Sequence, residues 1–441
     1  MLKIFYLITI TITVALLFVI GCNKSSPPTA AVPDEVKKDT VNIAVGDVTH
    51  RSASINVQCT KNNLQWKVSL FRTLNGVDTL VAFFPVTVKD TNIIDDNNGN
   101  GLLLNTEYKY YAALTDTAGK LQEKTNPVTA KTLAPTSHNY TWQEITIGDA
   151  GIQASVLEDV WGTDENNVWA VGGVSINGTM YGVLYWNGSE WIPDSTAGGY
   201  AIFGFNENDI WTVGGGVYHF DGIKWNPVSG YLDYQTGQYI VLDQILTDNA
   251  PYTSIWGTSS NNLYLGSQRG KIVHWDGTKA AVVFTTDQGI LSIWGTKDNN
   301  IYAVAGDYTH HAGKLFHYDS GIWKLIRTGG GLSGSADTRG PITSIWGTKN
   351  NELFLQARYI ESRYGGLWKH EVLCATWMYE ITGTNSNNIA SCGAFGTIKH
   401  FNGIDWVSFE GLTQRALYGI HVFENKIFAV GDRIILIGTN N

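Results

Sequence analysis

One sequence pattern recurs seven times in the C-terminal two thirds of the chain, and it constrains the fold more than any other feature. The copies align without gaps over their first turn, and six of the seven begin with an aliphatic residue followed by an anchor residue and, in most copies, Gly. The anchors, spaced 36 to 53 residues apart, are Trp161, Phe203, Trp256, Trp294, Trp346, Thr382 and Ile420. Asn stands five positions after every anchor, where we expect its tolerance of left-handed backbone to form a tight hairpin. A repeat of this length is typical of stacked units that bury one continuous core.

Five of the copies continue with a second hairpin signal. It consists of Asp-Gly, Asn-Gly or Asp-Ser-Gly between alternating apolar residues, which is a strong mark of a two-strand turn. These segments cover residues 184–191, 218–225, 273–280, 316–323 and 399–406. Four antiparallel strands every 40 or so residues make one propeller blade. The sequence therefore predicts an all-β fold with a seven-bladed β-propeller over residues 138–441.

The two ends of this propeller are expected to meet. The last copy supplies three strands before the chain stops at Asn441, and residues 140–147 form an isolated strand ahead of the first copy. An unpaired edge strand invites aggregation. We therefore predict that the N-terminal strand completes the last blade.

Residues 1–21 have the features of a secretory signal. Lys3 precedes an apolar run that ends at Gly21, next to Cys22. The sequence from Val19 to Cys22 resembles the bacterial lipobox, which is cleaved before the Cys and lipidated on its sulfur. The resemblance implies a lipid anchor at Cys22, followed by a Pro- and Ser-rich tether over residues 22–39. An uncleaved membrane helix is the alternative, but about 17 apolar residues are at the short limit for a span.

The expected partners follow from this anchor and from the charge. Asn23 is not the Asp associated with inner-membrane retention of lipoproteins, so the resemblance implies the outer membrane, facing the periplasm or the outside. The formal net charge is −9, from 30 basic and 39 acidic residues. An acidic chain lacks the basic footprint that nucleic acids require. We therefore expect a membrane contact through lipid and no nucleic-acid partner.

Residues 40–133 carry short alternating runs with turn signals every 8–12 residues, which is typical of a β-sandwich. The segment from Leu102 to Tyr108, with Leu104 and Thr106 between, resembles the tyrosine corner of fibronectin type III domains. The resemblance implies a spacer or interaction module of that kind.

One motif in this region matches the calcium loop of EF-hands: Asp96, Asn98, Asn100 and Glu107, with Gly101 at the turn position. No helical pattern flanks it, and only two of its side chains are charged, so we favour a hairpin turn over a calcium site. No other metal and no cofactor is expected.

Three cysteines remain after the lipidated one: Cys59, Cys374 and Cys392. A bridge between Cys374 and Cys392 is one interpretation in an oxidising envelope. Cys392 occupies a position that is Val in several sister copies, so the favoured interpretation is a buried apolar thiol.

Every large insertion falls on one face of the predicted propeller, where second strands turn to third strands and each blade connects to the next. The insertions cover residues 172–182, 226–253, 307–313, 327–340 and 357–366. Long loops on a rigid scaffold are where binding residues accumulate, and Tyr and Arg are favoured interface anchors. The candidate binding residues are Tyr234, Tyr252, Tyr308, His310, His311, Arg339, Arg358, Tyr359, Glu361, Arg363 and Tyr364. The alternative is that these loops only pack on one another. The repeated Trp anchors are expected to pack between blades and not to bind a ligand.

Three functions remain open. The leading hypothesis is a tethered, non-catalytic binding protein that presents this face to a protein or glycan. The rival is a carbohydrate-active enzyme: the turn element distantly resembles the Asp-box of sialidases, which implies an arginine cluster with a Tyr/Glu pair, and two-carboxylate chemistry is also open. The sequence supplies those types in Arg339, Arg358, Arg363, Tyr359 and Glu361, with Asp243, Asp307 and Asp337 as further acids. The third hypothesis is an architectural role in envelope assembly. No residue is assigned a catalytic role.

Overall fold

The computed structural model describes most of the chain beyond the tether. The described residues are 40–60, 65–86, 90–150, 155–228, 231–233, 238–240, 250–307, 312–329, 342–364 and 366–441. The expected signal peptide, Cys22 and the tether lie outside them. Among the described residues, no helix is long and apolar enough to cross a bilayer.

The N-terminal unit is a sandwich of two antiparallel sheets. Its strands are β1 (Thr40–Val48), β2 (Ala53–Thr60), β3 (Lys67–Leu74), β4 (Val77–Pro85), β5 (Asp90–Asp95), β6 (Glu107–Thr115), β7 (Leu121–Lys124) and β8 (Val128–Lys131). One sheet has the order β1-β2-β5, and the other has the order β4-β3-β6-β7 with β8 also on β6. Alternate residues such as Ile55, Leu70 and Tyr110 fill the space between the sheets. The Tyr108 hydroxyl accepts the Leu103 N–H at 2.8 Å, which is the hydrogen bond expected of a tyrosine corner.

Seven four-stranded antiparallel sheets follow in the described part of the chain, and we number them blades 1 to 7. Blades 1 to 3 comprise β10 (Val156–Asp164), β11 (Asn167–Ile176), β12 (Thr179–Trp186), β13 (Trp191–Asp194); β14 (Ala201–Asn206), β15 (Asp209–Val213), β16 (Val217–Phe220), β17 (Trp225–Pro227); and β20 (Tyr252–Ser259), β21 (Asn262–Ser267), β22 (Lys271–Trp275), β23 (Ala280–Thr285). A separate hairpin, β18 (Tyr231–Asp233) with β19 (Gln238–Ile240), lies in the connection from blade 2 to blade 3.

Blades 4 to 7 repeat the same meander. They comprise β24 (Gly289–Lys297), β25 (Asn300–Asp307), β26 (Ala312–Asp319), β27 (Ile322–Gly329); β28 (Ser344–Gly347), β29 (Leu353–Gln356), β30 (Tyr359–Tyr364), β31 (Leu367–Leu373); β32 (Met378–Asn385), β33 (Asn388–Gly393), β34 (Ile398–Phe401), β35 (Trp406–Phe409); and β36 (Leu417–Val422), β37 (Lys426–Gly431), β38 (Ile434–Asn440) with β9 (Tyr140–Thr146). The expected all-β architecture of sandwich and seven-bladed propeller is confirmed.

The last blade is closed by the N-terminal strand, as the sequence predicted. β9 pairs antiparallel with β38 in an unbroken register from Tyr140 opposite Asn440 to Thr146 opposite Ile434. Trp142 of β9 lies against Gly438, where an added Cβ would come within 2.8 Å of its ring. The pairing covers an edge that would otherwise be open.

The Trp-Gly pair of the repeat is explained by packing between blades. The ring of Trp256 lies over Gly295 of the next blade, and a Cβ there would sit 2.8 Å from the ring carbon Cη2. The same contact joins Trp161 to Gly204, Trp294 to Gly347 and Trp346 to Gly383. The expectation that these Trp residues pack between blades is confirmed.

Two details of the repeat differ from the sequence interpretation. In blade 7 the residue that occupies the anchor position is His421, paired with Phe428, and not Ile420, because this blade's first turn is one residue shorter than the others. Of the seven Asn residues after the anchors, only Asn351 has left-handed backbone. Instead, Asn208 and Asn261 pack their amide oxygens against the glycines of the neighbouring turn, Gly222 and Gly277.

A second polar contact recurs within the blades. A side chain at the start of the second strand binds an imidazole nitrogen Nε2 on the third strand. The pairs are Asp209–His219, Asn262–His274, Asn300–His317 and Asn388–His400, at 2.6–2.9 Å. In blade 1, Tyr185 takes the place of the His and donates to Asn167 at 2.6 Å. Blade 5 has Glu352 at the Asn position.

The two ends of the propeller differ. We call the end with the turns between first and second and between third and fourth strands the short-turn face, and the opposite end the loop-rich face. In blade 3 the short-turn face carries residues 260–261 and 276–279, and the loop-rich face carries residues 268–270 and 286–288. The sandwich contacts the short-turn face of blades 5 and 6: Thr49 and Ser52 donate to Glu352 at 2.6 and 2.8 Å.

Candidate ligand site in the central channel

The innermost strand of each blade faces the axis of the propeller, and together these strands surround a cavity of about 580 Å³. The cavity extends from Tyr200 and Gln268 on the loop-rich side to Trp161 and His421 on the short-turn side. A volume of this size falls within the range of pockets that hold small ligands. The channel is therefore the candidate site.

The residues at one repeat position form a ring around the channel, and four of them link neighbouring blades by hydrogen bonds. These residues stand two positions before the anchors as the structure aligns them: Asp159, Ala201, Ser254, Ser292, Ser344, Glu380 and Gly419. Asp159 accepts the backbone N–H of Ile202 at 2.9 Å, and Ser344 accepts that of Ile381 at 3.3 Å. The innermost strand has no neighbour on its channel side, so these contacts satisfy N–H groups that would otherwise lack a partner.

Blades 1 and 6 place carboxyl groups in this ring where blades 3, 4 and 5 have Ser. Glu380 accepts the N–H of Ile420 at 2.7 Å, and blade 7 between them contributes only Gly419. A Cβ on Gly419 would come within 2.6 Å of the Asp159 backbone, so this position has no room for a side chain. The two carboxyl groups therefore belong to blades 1 and 6, and blade 7 places only a glycine between them.

Removal from water raises the pKa of both carboxyl groups. The pKa of Asp159 rises to about 7, although the N–H groups of Ile202 and Val160 hold it down. The pKa of Glu380 rises well above its ordinary range, first through desolvation and then through repulsion by Asp159. Burial also raises the pKa of the neighbouring Glu158. Burial therefore favours the protonated form of both carboxyl groups.

Aromatic side chains border the loop-rich end of the channel. Tyr200 is 47% exposed, and the half-buried rings of Tyr379 and Tyr418 contact each other with centroids 5.0 Å apart. Desolvation raises the pKa of Tyr379 and Tyr418, so both phenols keep their protons. Phenol rings with free hydroxyl groups offer both contact area and directional hydrogen bonds to a ligand.

The part of the lining that the structure describes contains no Lys or Arg. Among the described lining residues the titratable groups besides tyrosines are Glu158, Asp159, Glu380 and His421. Burial lowers the pKa of His421 to about 4, so its imidazole is neutral. The channel therefore offers aromatic faces, hydroxyl groups and carboxyl groups, which are the groups that bind hydroxylated or weakly polar ligands.

Much of the predicted binding set falls outside the described residues. Tyr234, Tyr308, His310, His311 and Arg339 lie there, as do Asp243 and Asp337. Tyr252 is described and is only 7% exposed at the start of β20.

The remaining predicted residues surround one strand, not one pocket. The sequence placed residues 357–366 in a loop, but Tyr359–Tyr364 forms β30, the third strand of blade 5. Arg358 precedes this strand and Arg363 stands near its far end, about 17 Å away at the usual rise per residue. Tyr364 contacts the sandwich through His50, with ring centroids 6.0 Å apart. The arginine cluster of a sialidase-like site is therefore not formed by the described members, Arg358 and Arg363.

Glu361 is held in an ion pair between blades. Its carboxylate accepts two hydrogen bonds from the guanidinium of Arg327 in blade 4, and Nδ1 of His370 lies 3.0 Å away. The Glu361 side chain is fully buried. These contacts give the carboxylate a structural role and remove it from the channel.

The EF-hand-like segment forms a turn between β5 and β6. Asn98 has left-handed backbone, and Asp96 accepts the N–H of Gly99 at 2.9 Å. Asn100 donates to the Asn97 carbonyl, and Glu107 is exposed at the start of β6. The Asp96 and Asn100 side chains thus make hydrogen bonds within the turn, and the calcium hypothesis remains untested.

Cys374 and Cys392 are buried free thiols. The Cys374–Cys392 bridge is therefore not formed, and the interpretation of Cys392 as a buried apolar thiol is confirmed. Burial raises the pKa of both buried thiols.

The channel residues lie on strands and not in long loops, so a prediction based on loop length does not include them. A signal was present: Asp159 and Glu380 stand at a repeat position where three sister copies have Ser. The other residues at this position, Ser, Ala and Gly, are all small and uncharged, so a carboxylic acid there departs from the pattern in a way that packing alone does not require.

Comparison with known proteins gives distant likenesses only. No protein-family model and no curated protein matches the chain. Among solved structures, the computationally designed Ika8 protein is 15% identical with a TM-score of 0.42, covering 77% of this chain and 92% of its own. BamB from Moraxella catarrhalis is 14% identical with a TM-score of 0.36, covering 67% and 96%. A quinonprotein alcohol dehydrogenase-like protein from Bacteroides thetaiotaomicron is 9% identical with a TM-score of 0.39, covering 89% and 96%. Likenesses this distant say nothing about what this chain binds.

Proposed function

We propose that the chain is a lipid-anchored envelope protein that binds a protein or glycan partner at the loop-rich face of its propeller. In this proposal Cys22 carries the lipid, residues 22–39 form a tether to the outer membrane, and the fibronectin type III-like sandwich supports the propeller. Catalysis is not part of the proposed role.

The observation that carries the proposal is the difference between the two ends of the channel. The sandwich occupies the short-turn face of blades 5 and 6 through Thr49, Ser52 and His50. In the connection that follows the sandwich, the Thr136 N–H donates to the Asn402 carbonyl of blade 6 at 2.9 Å. The tyrosines of the channel mouth, including the half-exposed Tyr200, lie at the opposite end. A partner therefore has access to the loop-rich end, where groups suited to recognition collect.

The chemistry of the mouth favours a glycan over a charged ligand. Sugar rings stack on aromatic faces, and their hydroxyl groups pair with the donors and acceptors that tyrosines and carboxyl groups provide. A cavity of about 580 Å³ accommodates a few sugar-sized units.

The test is a glycan-array screen of the full detergent-solubilised chain, with a pull-down of purified envelope proteins in parallel. Tyr200→Ala and Tyr418→Ala remove aromatic surface at the mouth and should weaken binding at least about tenfold. Ile404→Ser, at a residue 62% exposed in a turn on the short-turn face, is the matched control and should leave binding unchanged. Equal loss in all three variants, or loss only in the control, would refute the proposed face.

The anchor is tested separately. Cys22→Ser should move the protein from the membrane fraction to the soluble envelope fraction, because the lipid attachment sulfur is gone. Retention in the membrane would favour the uncleaved helix.

A carbohydrate-active enzyme is the second candidate, and the Asp159–Glu380 pair is the observation that favours it. Glycosidases use two carboxyl groups as acid and base, and the acid has a raised pKa. Turnover of chromogenic glycosides by the native chain, abolished in Glu380→Gln, would establish this function in place of simple binding. An architectural role in envelope assembly predicts neither glycan binding nor turnover.

A further inference from the structure

Blade 5 is the described blade in which a side chain of the sandwich takes the place of the blade's own histidine. Blades 2, 3, 4 and 6 pair the residue at the start of the second strand with an imidazole on the third strand. In blade 5 the first of these residues is Glu352, and Ser362, which pairs with Phe354, stands at the histidine position of the third strand. His50, from the turn between β1 and β2, approaches Glu352 instead.

The contact is closely fitted. Thr49 and Ser52 donate to the same oxygen of Glu352, Oε1, and Asn350 donates to Ser52 at 3.1 Å. The His50 N–H donates to the Ser386 hydroxyl of blade 6 at 2.9 Å. The imidazole of His50 packs edge-on against two rings, Tyr364 and Phe401.

Two polar atoms in this contact lack a hydrogen-bond partner. They are Nδ1 of His50 and Oε2 of Glu352, and they face each other across 4.0 Å. The side chains of His50 and Glu352 are 1% and 5% exposed. If both side chains were charged, a separation of this size would leave both charges poorly solvated. The neutral forms avoid this desolvation cost, and the protonated acid then faces an acceptor nitrogen.

The charged and titratable groups around the pair come from both domains. Arg51 of the sandwich lies over the Tyr364 ring at 4.9 Å and acts on both members, and Asp96 acts on Glu352. Lys349 and Asp47 form an exposed pair at the edge of the contact, 3.8 Å apart. Tyr364 keeps its proton because burial raises its pKa well above the ordinary value.

We propose that docking of the sandwich on blade 5 transfers one proton from the imidazolium of His50 to the carboxylate of Glu352. The N–H bond of the imidazolium breaks, the carboxyl O–H bond forms, and the pair becomes neutral without exchanging a proton with solvent. The domain arrangement is thereby kept through mildly acidic conditions.

The pH dependence follows from the two opposite shifts. Burial raises the pKa of Glu352 from 4.5 to about 7, so its contribution to docking is full below pH 4.5 and is lost as the pH rises through 7. Burial lowers the pKa of His50 from 6.5 to about 3, so its contribution is full above pH 6.5 and is lost as the pH falls through 3. Between pH 4.5 and 6.5 the two slopes cancel.

The experiment is hydrogen exchange of the full detergent-solubilised chain, read by mass spectrometry at pH values from 4.5 to 8. Exchange times are scaled to the intrinsic rate at each pH. The readout is the protection of the peptide containing residues 47–52, whose His50 amide bonds across the interface. The peptide containing residues 434–440 reports whether the propeller itself stays folded.

In the native chain, protection of residues 47–52 should change by less than about fivefold over this range, because the two contributions compensate. In Glu352→Gln only His50 still titrates, so protection of residues 47–52 should fall at least about tenfold on going from pH 6.5 to 4.5. In His50→Phe only Glu352 still titrates, so the pH dependence should run in the opposite direction. Protection of residues 47–52 should fall at least about tenfold on going from pH 4.5 to 7.

The direction of the slope separates proton transfer from simple loss of a contact, which would lower protection equally at every pH. If His50→Phe undocks the sandwich at all pH values, His50→Asn replaces it. A native chain that varies more than tenfold, or variants that are flat or slope the same way, would overturn the proposal.

Discussion

Single glycines on the innermost strands set the distance between neighbouring blades. Gly295 lies under the Trp256 ring, and each of three other glycines lies under the Trp of the preceding blade. The absence of a side chain is required here by the close approach of an aromatic ring, since the backbone of Gly295 is not left-handed.

Gly295→Ala should therefore destabilise the propeller by about 1–3 kcal/mol, because the new methyl group would have to displace the Trp256 ring. Gly215→Ala is the matched control, since a Cβ there meets no atom within 4 Å. Thermal unfolding of the two variants measures the difference. Equal melting temperatures would show that the ring moves at no cost.

The carboxyl ring predicts a pH dependence of stability. The raised pKa of Asp159, about 7, means that its contribution to folding is present below pH 3.8 and is lost as the pH rises through 7. Asp159→Asn keeps an oxygen acceptor for the Ile202 N–H and removes the loss of stability that ionisation of Asp159 causes as the pH rises. The variant should gain about 1–2 kcal/mol relative to the native chain between pH 4 and 8, less than the full shift because the carboxyl is partly accessible.

Asp276→Asn is the control of opposite sign. Hydrogen bonds from Thr278 and Lys279 lower the pKa of Asp276 to about 2, so its contribution is lost as the pH falls. Denaturant unfolding at several pH values distinguishes the two. If the native chain and Asp159→Asn show parallel pH profiles, Asp159 does not titrate in this range.

At the level of elements, the blades were predictable where a turn has a chemical signature. The Asp-Gly and Asn-Gly turns of blades 1, 2, 3 and 6 form as expected between third and fourth strands. Blade 5 lacks that signature and ends its third strand at Tyr364, so the strand was assigned to a loop. The third-strand histidines were visible in the sequence, but nothing local shows that they bind the turn of the first hairpin, because that contact depends on strand pairing.

His274→Phe tests this contact within one blade. The ring should still pack on Tyr264, whose centroid lies 4.7 Å away, but the 2.6 Å hydrogen bond to Asn262 is lost. We expect a loss of about 1 kcal/mol in the free energy of unfolding. A double-mutant cycle with Asn262→Ala should give a coupling of about 0.5–1 kcal/mol, and simple additivity would refute the pairing as a stabilising contact.

Outer strands carry an irregularity that the sequence did not reveal. In blades 3, 4 and 5 the pairing of the third with the fourth strand shifts by one residue, for example between Ile272 and Val273. The same shift occurs beside the sandwich's edge strand β4. Bulges twist an edge away from a partner, which protects exposed apolar residues such as Val282 and Leu325 from pairing with another chain.

At the level of the whole molecule, the repeat gave the number of blades and the strand that closes the ring. Repeats fix the number of blades because each must bury its face against the next. The sequence did not place the sandwich, because its contacts with Glu352 and Ser386 join residues about 300 positions apart. It also did not reveal the carboxyl groups of the channel, since the axis is created only when all seven blades assemble.

Ring closure by β9 is the feature on which the channel, its mouth and the proposed binding face all depend. Hydrogen exchange at the amides of residues 434–440 tests it directly, comparing the full chain with a chain that lacks residues 139–147. The native chain should protect these amides as strongly as the other central strands, and the deletion should abolish that protection and lower solubility, with partial recovery on adding a peptide of residues 139–147. Unchanged protection and an unchanged melting temperature after the deletion would contradict the closed seven-bladed ring.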